Sequence, residues 1–257
     1  MELCLNGRTA LITGGSRGLG FGTARLLAAE GCHLHIASRS AADLEAAKRR
    51  ITDVHKVDVT CHAMDLSSSD NVRKLAESCG DVDILVNNAG AIPQGSLTAV
   101  DEKTWREAWD LKVFGFVNLT RDIHRNMCAR RSGVIVNVIG TAGDRPSANY
   151  IAGAMGNASL IAMTRALGAA SPEFGVRVVG VNPGATETDR QVVRWRARAE
   201  KELGNADHWR ELTTGFPFGR LATVDEVVNM IVFLCSDLSS YTTGTVITVD
   251  GGASARQ

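Results

Sequence analysis

Thr13-Gly14-Gly15-Ser16-Arg17-Gly18-Leu19-Gly20 joins an apolar, β-rich run at Thr9–Thr13 to a helical pattern at Leu19–Glu30. Glycines at such a junction permit a tight turn and let the backbone come close to a pyrophosphate. The helix that follows offers unpaired N–H groups and the positive end of its dipole to an anion. A plain strand-to-helix turn is the competing reading. The loop's place, between the first strand and the first helix, favours phosphate binding.

Outward from the loop the pattern alternates. His33–Ser38 reads as a second strand with Ala41–Ile51 as its helix, and Val57–Met64 with Ser69–Ser78 repeats the pair. Asp83–Val86, a long helix Asp101–Met127, the strand Val134–Val138 and the helix Tyr150–Ala170 follow. Val176–Val181, the amphipathic helix Val224–Ser236 and the strand Thr245–Val249 close the series. Strands without internal polar alternation, separated by helices, predict a parallel sheet covered on both faces. Right-handed crossovers make this an α/β, Rossmann-like, doubly wound seven-stranded parallel sheet, with residues 1–257 as a single domain. Asp189–Leu212 breaks the alternation, being polar and helical, with Arg190, Arg194, Arg196, Arg198, Trp195 and Trp209. It is either a solvated surface helix or a lid over a substrate pocket, the latter suggested by its place after a strand's carboxyl end.

Lysine plus arginine equal aspartate plus glutamate at 28 each in the 257 residues. That balance predicts no nucleic-acid partner and no anionic membrane surface. No stretch reaches the ~18 apolar residues of a membrane span, and the first residues show no signal-peptide pattern. The six cysteines are scattered and never spaced C-x-x-C. These features predict a cytoplasmic protein with reduced thiols, and no His/Cys/Asp spacing suggests a metal site.

Further landmarks recur at strand ends: Asn87-Asn88-Ala89-Gly90 after the fourth, Asn182-Pro183-Gly184 with Thr188 after the sixth, and Asp250-Gly251-Gly252 after the last. Together with the T-G-x-x-x-G-x-G spacing of the glycine loop, this ordered set resembles the short-chain dehydrogenase/reductase family over nearly the whole chain. The resemblance implies a nicotinamide cofactor and a small-molecule substrate. Gly14, Ser16, Arg17, Gly18, Leu19 and Gly20 would form the phosphate loop. Asp65 and Leu66 would edge the adenine, and Asn88 and Gly90 would face a ribose. Pro183, Gly184, Thr186 and Thr188 would hold the nicotinamide end. One of Asn87 and Asn88 is expected only to satisfy backbone groups. The resemblance also implies a homotetramer using the two long helices and the last strand region. Val113, Phe116, Leu160 and Met163 on those helices face either the core or a partner.

Charge bears on the cofactor's form. A carboxylate ending the second strand would bind a ribose 2′-hydroxyl and repel a 2′-phosphate. Here Ser38 stands where the family's NAD users resemble one another in having aspartate, and Arg39 follows it. Arg39 and Arg17, with no acid nearby, would grip a 2′-phosphate together, which favours NADP(H) while leaving NAD(H) open.

The family's proton chemistry uses a tyrosine, a lysine four residues later, a serine and an asparagine. A phenol titrating near ~10 is a poor base at neutral pH, and a nearby ammonium favours the phenolate. All four positions depart from the pattern. Gly140 stands at the serine, Gly153 at the tyrosine, Asn157 at the lysine and Lys112 at the asparagine. Lysine and asparagine have in effect exchanged helices. Tyr150 lies three residues before Gly153, on the same helix face, and Thr141 adjoins Gly140. One reading is a rearranged site with Tyr150 as proton donor, Lys112 as its electrostatic partner, and Thr141 and Asn157 in support. The other is loss of the usual chemistry, with Tyr150 capping a helix and Lys112 a structural charge. The function that follows is an NADP(H)-dependent oxidoreductase of a small or medium carbonyl or alcohol. The alternatives are an NADP(H)-binding protein without redox turnover, or non-redox chemistry in the same pocket.

Overall fold

A computed structural model describes residues 2–256. The strands are β1 (Thr9–Thr13), β2 (His33–Ser38), β3 (Val59–Ala63), β4 (Ile84–Asn87), β5 (Gly133–Val138), β6 (Val176–Pro183) and β7 (Val246–Val249). The helices are α1 (Gly18–Ala29), α2 (Ala41–Thr52), α3 (Ser69–Ser78), α4 (Glu102–Trp109), α5 (Gly115–Arg130), α6 (Ile151–Ala170), α7 (Asp189–Leu203) and α8 (Val224–Cys235). The strands form one seven-stranded sheet in the order β3-β2-β1-β4-β5-β6-β7, with every pair parallel. The expected doubly wound, Rossmann-like single domain is what forms. The order reverses between β1 and β4, so a crevice opens at their carboxyl ends, where ligands bind in such sheets.

The period-two alternation of each strand feeds two cores. On one face Ala10, Ile12, Leu34 and Ile36 pack with α1, α2 and α8 through Leu27, Leu44 and Ile231. On the other, Leu11, Ala37, Leu85 and Ile135 pack with α3 and α5 through Leu75, Leu119 and Ile123. Both faces of the sheet are therefore dry, and the strands read as continuous apolar runs for that reason.

Three expected elements differ. The third strand is shorter than Val57–Met64, because pairing with β2 begins only at Leu34↔Val59 and ends at Ser38↔Ala63. The long helix Asp101–Met127 is interrupted by a π-helical turn, Asp110–Phe114, between α4 and α5. Asp189–Leu212 is two pieces: α7 stops at Gly204, which takes the left-handed conformation at φ 71°, and a 3₁₀ segment Ala206–Thr213 follows. Glycine accepts that conformation without the Cβ penalty, so a helix ends there readily. No helix of the described residues is long and apolar enough to cross a membrane.

Candidate active site

The carboxyl ends of β1 and β4 are laced together before any ligand is considered. The Thr13 hydroxyl accepts from the backbone N–H groups of Asn88 (2.9 Å) and Ala89 (3.0 Å). The Asn88 amide donates back to the Thr13 carbonyl at 3.0 Å. Asn87 is wholly internal, and its amide donates to Thr120 Oγ1 and Asn137 Oδ1, both at 2.9 Å. Asn137 in turn donates to Thr164 Oγ1 at 2.9 Å, carrying the network to α6. The member whose amide satisfies backbone groups is thus Asn88, whereas Asn87 binds side chains and its Oδ1 is buried without a partner.

The glycine loop wraps this corner. Gly14 and Gly18 have φ of 67° and 53°. A Cβ on Gly20 would strike the Gly14 carbonyl, and one on Gly14 would lie 2.8 Å from Asn88 Nδ2. Loop and helix pack backbone to backbone, which only glycine allows. α1 begins after Arg17 with no side-chain cap and no acid in its first turn. Side chains of Ser40, Ser68, Asp101, Thr188 and Thr223 cap α2, α3, α4, α7 and α8. The first amides of α1, beside Ser16 and Leu19, remain without side-chain acceptors, as an anion site requires.

Other expected cofactor positions gather around the same edge. Pro183 ends β6, and Gly184 N–H donates to Val249 O at 2.9 Å. Thr186 is buried and donates to Gly184 O at 3.0 Å. Thr188 caps α7 and faces the loop, 3.4 Å from where a Gly18 Cβ would stand. Asp65 spends a carboxylate oxygen on Ser67 N and Oγ, at 3.0 and 2.9 Å, while Leu66 packs into the core against α3. Ser38 Oγ is buried and has no partner, an unmet polar group at the position expected to meet the ribose.

The expected Arg17–Arg39 pair needs correction. Arg17 forms an ion pair with Asp43 at 2.6 Å, so an acid is nearby after all. The first turn of α2 brings Asp43 back over the loop. Arg39 is exposed beside Ser38.

Around α6, Asn157 and Lys112 converge on consecutive carbonyls at the end of β5. Lys112 Nζ donates to Ile139 O at 2.8 Å, and Asn157 Nδ2 to Gly140 O at 3.2 Å. The Lys112 stem crosses Gly90, where a Cβ would lie 2.6 Å from Lys112 Cδ. Burial lowers the Lys112 ammonium to about 8, with Arg190 adding to the effect. Asn157 Oδ1 is buried without a partner. Lys112 is delivered by the π-helical turn, a device common at functional sites.

Tyr150 precedes α6, and its ring packs against Ile92, Trp105, Trp109 and Ala152. A Cβ on Gly153 would fall inside that ring. The phenol therefore occupies the space a side chain at 153 would fill. Burial raises its pKa, and Arg190 and Arg194 of α7 act against that rise. The expected Lys112–Tyr150 partnership is corrected accordingly. The charges that bear on Tyr150 come from α7, and Lys112 is engaged on the Ile139 carbonyl. The arginine-rich sequence of 189–212 named both residues without assigning them to the site, since nothing local links α7 to Tyr150. Thr141 opens a 3₁₀ turn after Gly140. It lines a cavity of about 410 Å³ with Gly184, Ala185, Phe216 and Asp250, which neither Tyr150 nor Lys112 reaches.

A family model described as enoyl-(acyl carrier protein) reductase matches residues 14–254. The chain is 32% identical to 3-oxoacyl-[acyl-carrier-protein] reductase FabG of Chlamydia muridarum, covering 98% of this chain and 99% of that protein. It is 30% identical to 2,3-dihydro-2,3-dihydroxybenzoate dehydrogenase of Bacillus subtilis, covering 97% of each. Among solved structures, L-sorbose reductase from Gluconobacter frateurii, complexed with NADPH and L-sorbose, superposes with a TM-score of 0.94 at 27% identity, covering 100% of both chains. On the matched family model, the full-length relatives and the shared fold, the chain belongs to the short-chain dehydrogenase/reductase family.

Proposed function

We propose that the chain is an NADP(H)-dependent oxidoreductase of a small or medium carbonyl or alcohol, with a rearranged proton-transfer site. The observation that carries this reading is the Tyr150 ring seated over Gly153, which returns a phenol to the face of α6 that lacks a tyrosine of its own. The bound nicotinamide supplies or accepts the hydride. Tyr150 holds the proton exchanged with the substrate oxygen, and Arg190 and Arg194 oppose the rise that burial imposes on its pKa. Thr141, next to Gly140, offers a hydroxyl from the cavity it lines with Gly184, to a part of the substrate that the Tyr150 phenol does not contact. Lys112 and Asn157 hold the end of β5 from two sides, and Asn157 Oδ1 keeps an acceptor free for a cofactor hydroxyl.

The residues present fit a dinucleotide. The uncapped amides of α1 suit a pyrophosphate, and the unpartnered Ser38 Oγ suits the ribose end. Gly14, Gly18, Leu19, Gly20, Asn88, Gly90, Asp65, Leu66, Pro183, Gly184, Thr186 and Thr188 would line the rest. NADP(H) is favoured because position 38 carries no carboxylate and Arg39 is exposed beside it, as arginine suits a 2′-phosphate. Similar structures are described with NADPH or NADP, and one with NADH. Residues 189–212 act as a lid that brings Arg190 to Tyr150, and the chain assembles as a homotetramer. The test is NADPH oxidation with a panel of 3-oxoacyl thioesters, ketoses and cyclic diones. Turnover lost in Tyr150→Phe with NADPH binding kept supports the reading. No turnover with any carbonyl overturns it.

Gly140 and Asn157, standing where the family has serine and lysine, favour a second reading: an NADP(H)-binding protein without redox turnover. Tight NADPH binding, no turnover and indifference to Lys112→Ala would establish it.

A further inference from the structure

His35, His62 and Cys79 are far apart in the chain and meet on the α3 side of the sheet edge. His35 lies on β2 and His62 on β3, offset by two places in the parallel register, where His35 pairs with Thr60 and Ala37 with His62. Cys79 is the residue at which α3 ends. The imidazoles stack with centroids 5.2 Å apart. His35 Nδ1 lies 2.9 Å from His62 Nε2, and Cys79 Sγ lies 3.5 Å from the same nitrogen. All three atoms lie within 4.8 Å of one another.

Hydrogen bonding alone serves this arrangement poorly. His62 Nε2 either carries one proton or offers one lone pair, yet both His35 Nδ1 and Cys79 Sγ face it. Its single lone pair or single proton is therefore shared between two neighbours. A cation among the three atoms satisfies all of them at once. Metal–nitrogen and metal–sulfur bonds of about 2.0–2.1 and 2.3 Å set tetrahedral separations of roughly 3.3 Å between nitrogens and about 3.5 Å between nitrogen and sulfur; the 3.5 Å Sγ–Nε2 spacing fits as it stands, and the 2.9 Å imidazole contact must open by about 0.4 Å. Two imidazoles and a thiolate suit Zn²⁺ and its spectroscopic stand-in Co²⁺. Burial keeps both imidazoles in the neutral, lone-pair form by lowering their pKa. Cys79 is 2% exposed, and burial pushes its thiol up to about 12, so the metal itself must displace that proton on binding, as for any thiolate ligand.

We propose that His35, His62 and Cys79 form a binding site for a divalent transition metal of the zinc type, with water as the fourth ligand, that clamps α3 to β2 and β3. The site shares no residue with the candidate active site around α6. It ties the edge strand, which has no further strand beyond it, to the helix that covers it.

The test is titration of the chelator-treated, reduced full-length chain with Co²⁺ alone. The expected result is a single equivalent bound, with a thiolate-to-cobalt charge-transfer band and tetrahedral ligand-field bands. Cys79→Ser should lose the charge-transfer band, and His62→Ala should weaken binding at least tenfold. Cys128→Ala, which removes the other cysteine–histidine contact, to His124, should change neither. Zn²⁺ should raise the wild-type Tm and not that of Cys79→Ser, because a ligand held only by the folded state stabilises it. His35→Gln serves the same comparison should Cys79→Ser fail to fold. Absence of the thiolate band in the wild-type chain overturns the proposal, as does its survival in both Cys79→Ser and His35→Gln.

Discussion

Gly153 and Tyr150 act as one unit, since the ring of one fills the space the other leaves. Gly153→Ala would put a methyl into the ring, and overpacking of this kind costs about 1–3 kcal/mol. The expected outcome is a lowered urea midpoint together with loss of turnover, because the ring must move. Tyr150→Phe keeps the packing and removes only the hydroxyl, so turnover should fall about 10²- to 10⁴-fold with NADPH affinity unchanged in a fluorescence titration. Arg190→Ala removes a charge that opposes the burial-raised pKa of Tyr150. The limb of the alcohol-oxidation pH profile that reports Tyr150 should then move to higher pH.

Lys112 carries a pH signature of its own. Burial lowers it from 10.5 to about 8, so between those values the unfolded chain binds a proton that the folded chain does not. The Lys112 contribution to stability should therefore rise with pH across this window, against the fall that the Cys32, Cys79 and Cys235 thiols, raised by burial from 9.0, contribute at the same time. The Lys112 part is on the order of 3 kcal/mol, and Lys112→Met should remove that part. Urea unfolding at about pH 7 and about pH 10, compared between the two chains, measures the difference in slope.

Among the elements, α8 shows how local sequence specifies a helix. Thr223 accepts from Glu226 N at 3.2 Å while the Glu226 carboxylate accepts from Thr223 N at 2.7 Å, closing a capping box. The carboxyl is held down to about 2 by Arg220 and Thr223. Thr223→Ala should cost about 1 kcal/mol, seen as a lower urea midpoint with an unchanged m-value. Elements of this kind were legible because cap, period and turn are near neighbours in sequence. The π-helical turn was not legible, since Asp110–Phe114 carries no marker that separates it from the helices on either side. The break in 189–212 had a marker, Gly204, but a glycine near a helix end signals a stop only when its φ turns positive.

For the whole molecule, assembly depends on which side chains of the long helices remain uncovered. Val113, Phe116 and Leu160, left open between core and partner by the sequence, are buried in the chain's own core. Phe114 and Leu97 are exposed instead, lining a cavity of about 560 Å³ with Trp105 and Trp109. If this face joins protomers of the proposed tetramer, Phe114→Glu should shift the species seen by sedimentation to lower mass and leave the far-ultraviolet circular dichroism unchanged.

The sequence by itself determined the sheet, its two covered faces and the glycine-loop corner. Those depend on short continuous apolar runs, helical periodicity between them and glycines at the strand-to-helix turn, all of which act over a few neighbouring positions. It also drew attention to Lys112, Gly140, Gly153 and Asn157, because each stands in a stretch whose flanks resemble the family. Only the tertiary structure decided where the side chains around them go. The Tyr150 ring lies over Gly153, Lys112 and Asn157 reach adjacent carbonyls at the end of β5, the Arg190 charge on α7 bears on the phenol, and Asp43 takes Arg17. The meeting of His35, His62 and Cys79 belongs with them. Each depends on elements distant in the chain coming within a few ångströms, and that distance is set by sheet order and helix packing rather than by any local spacing.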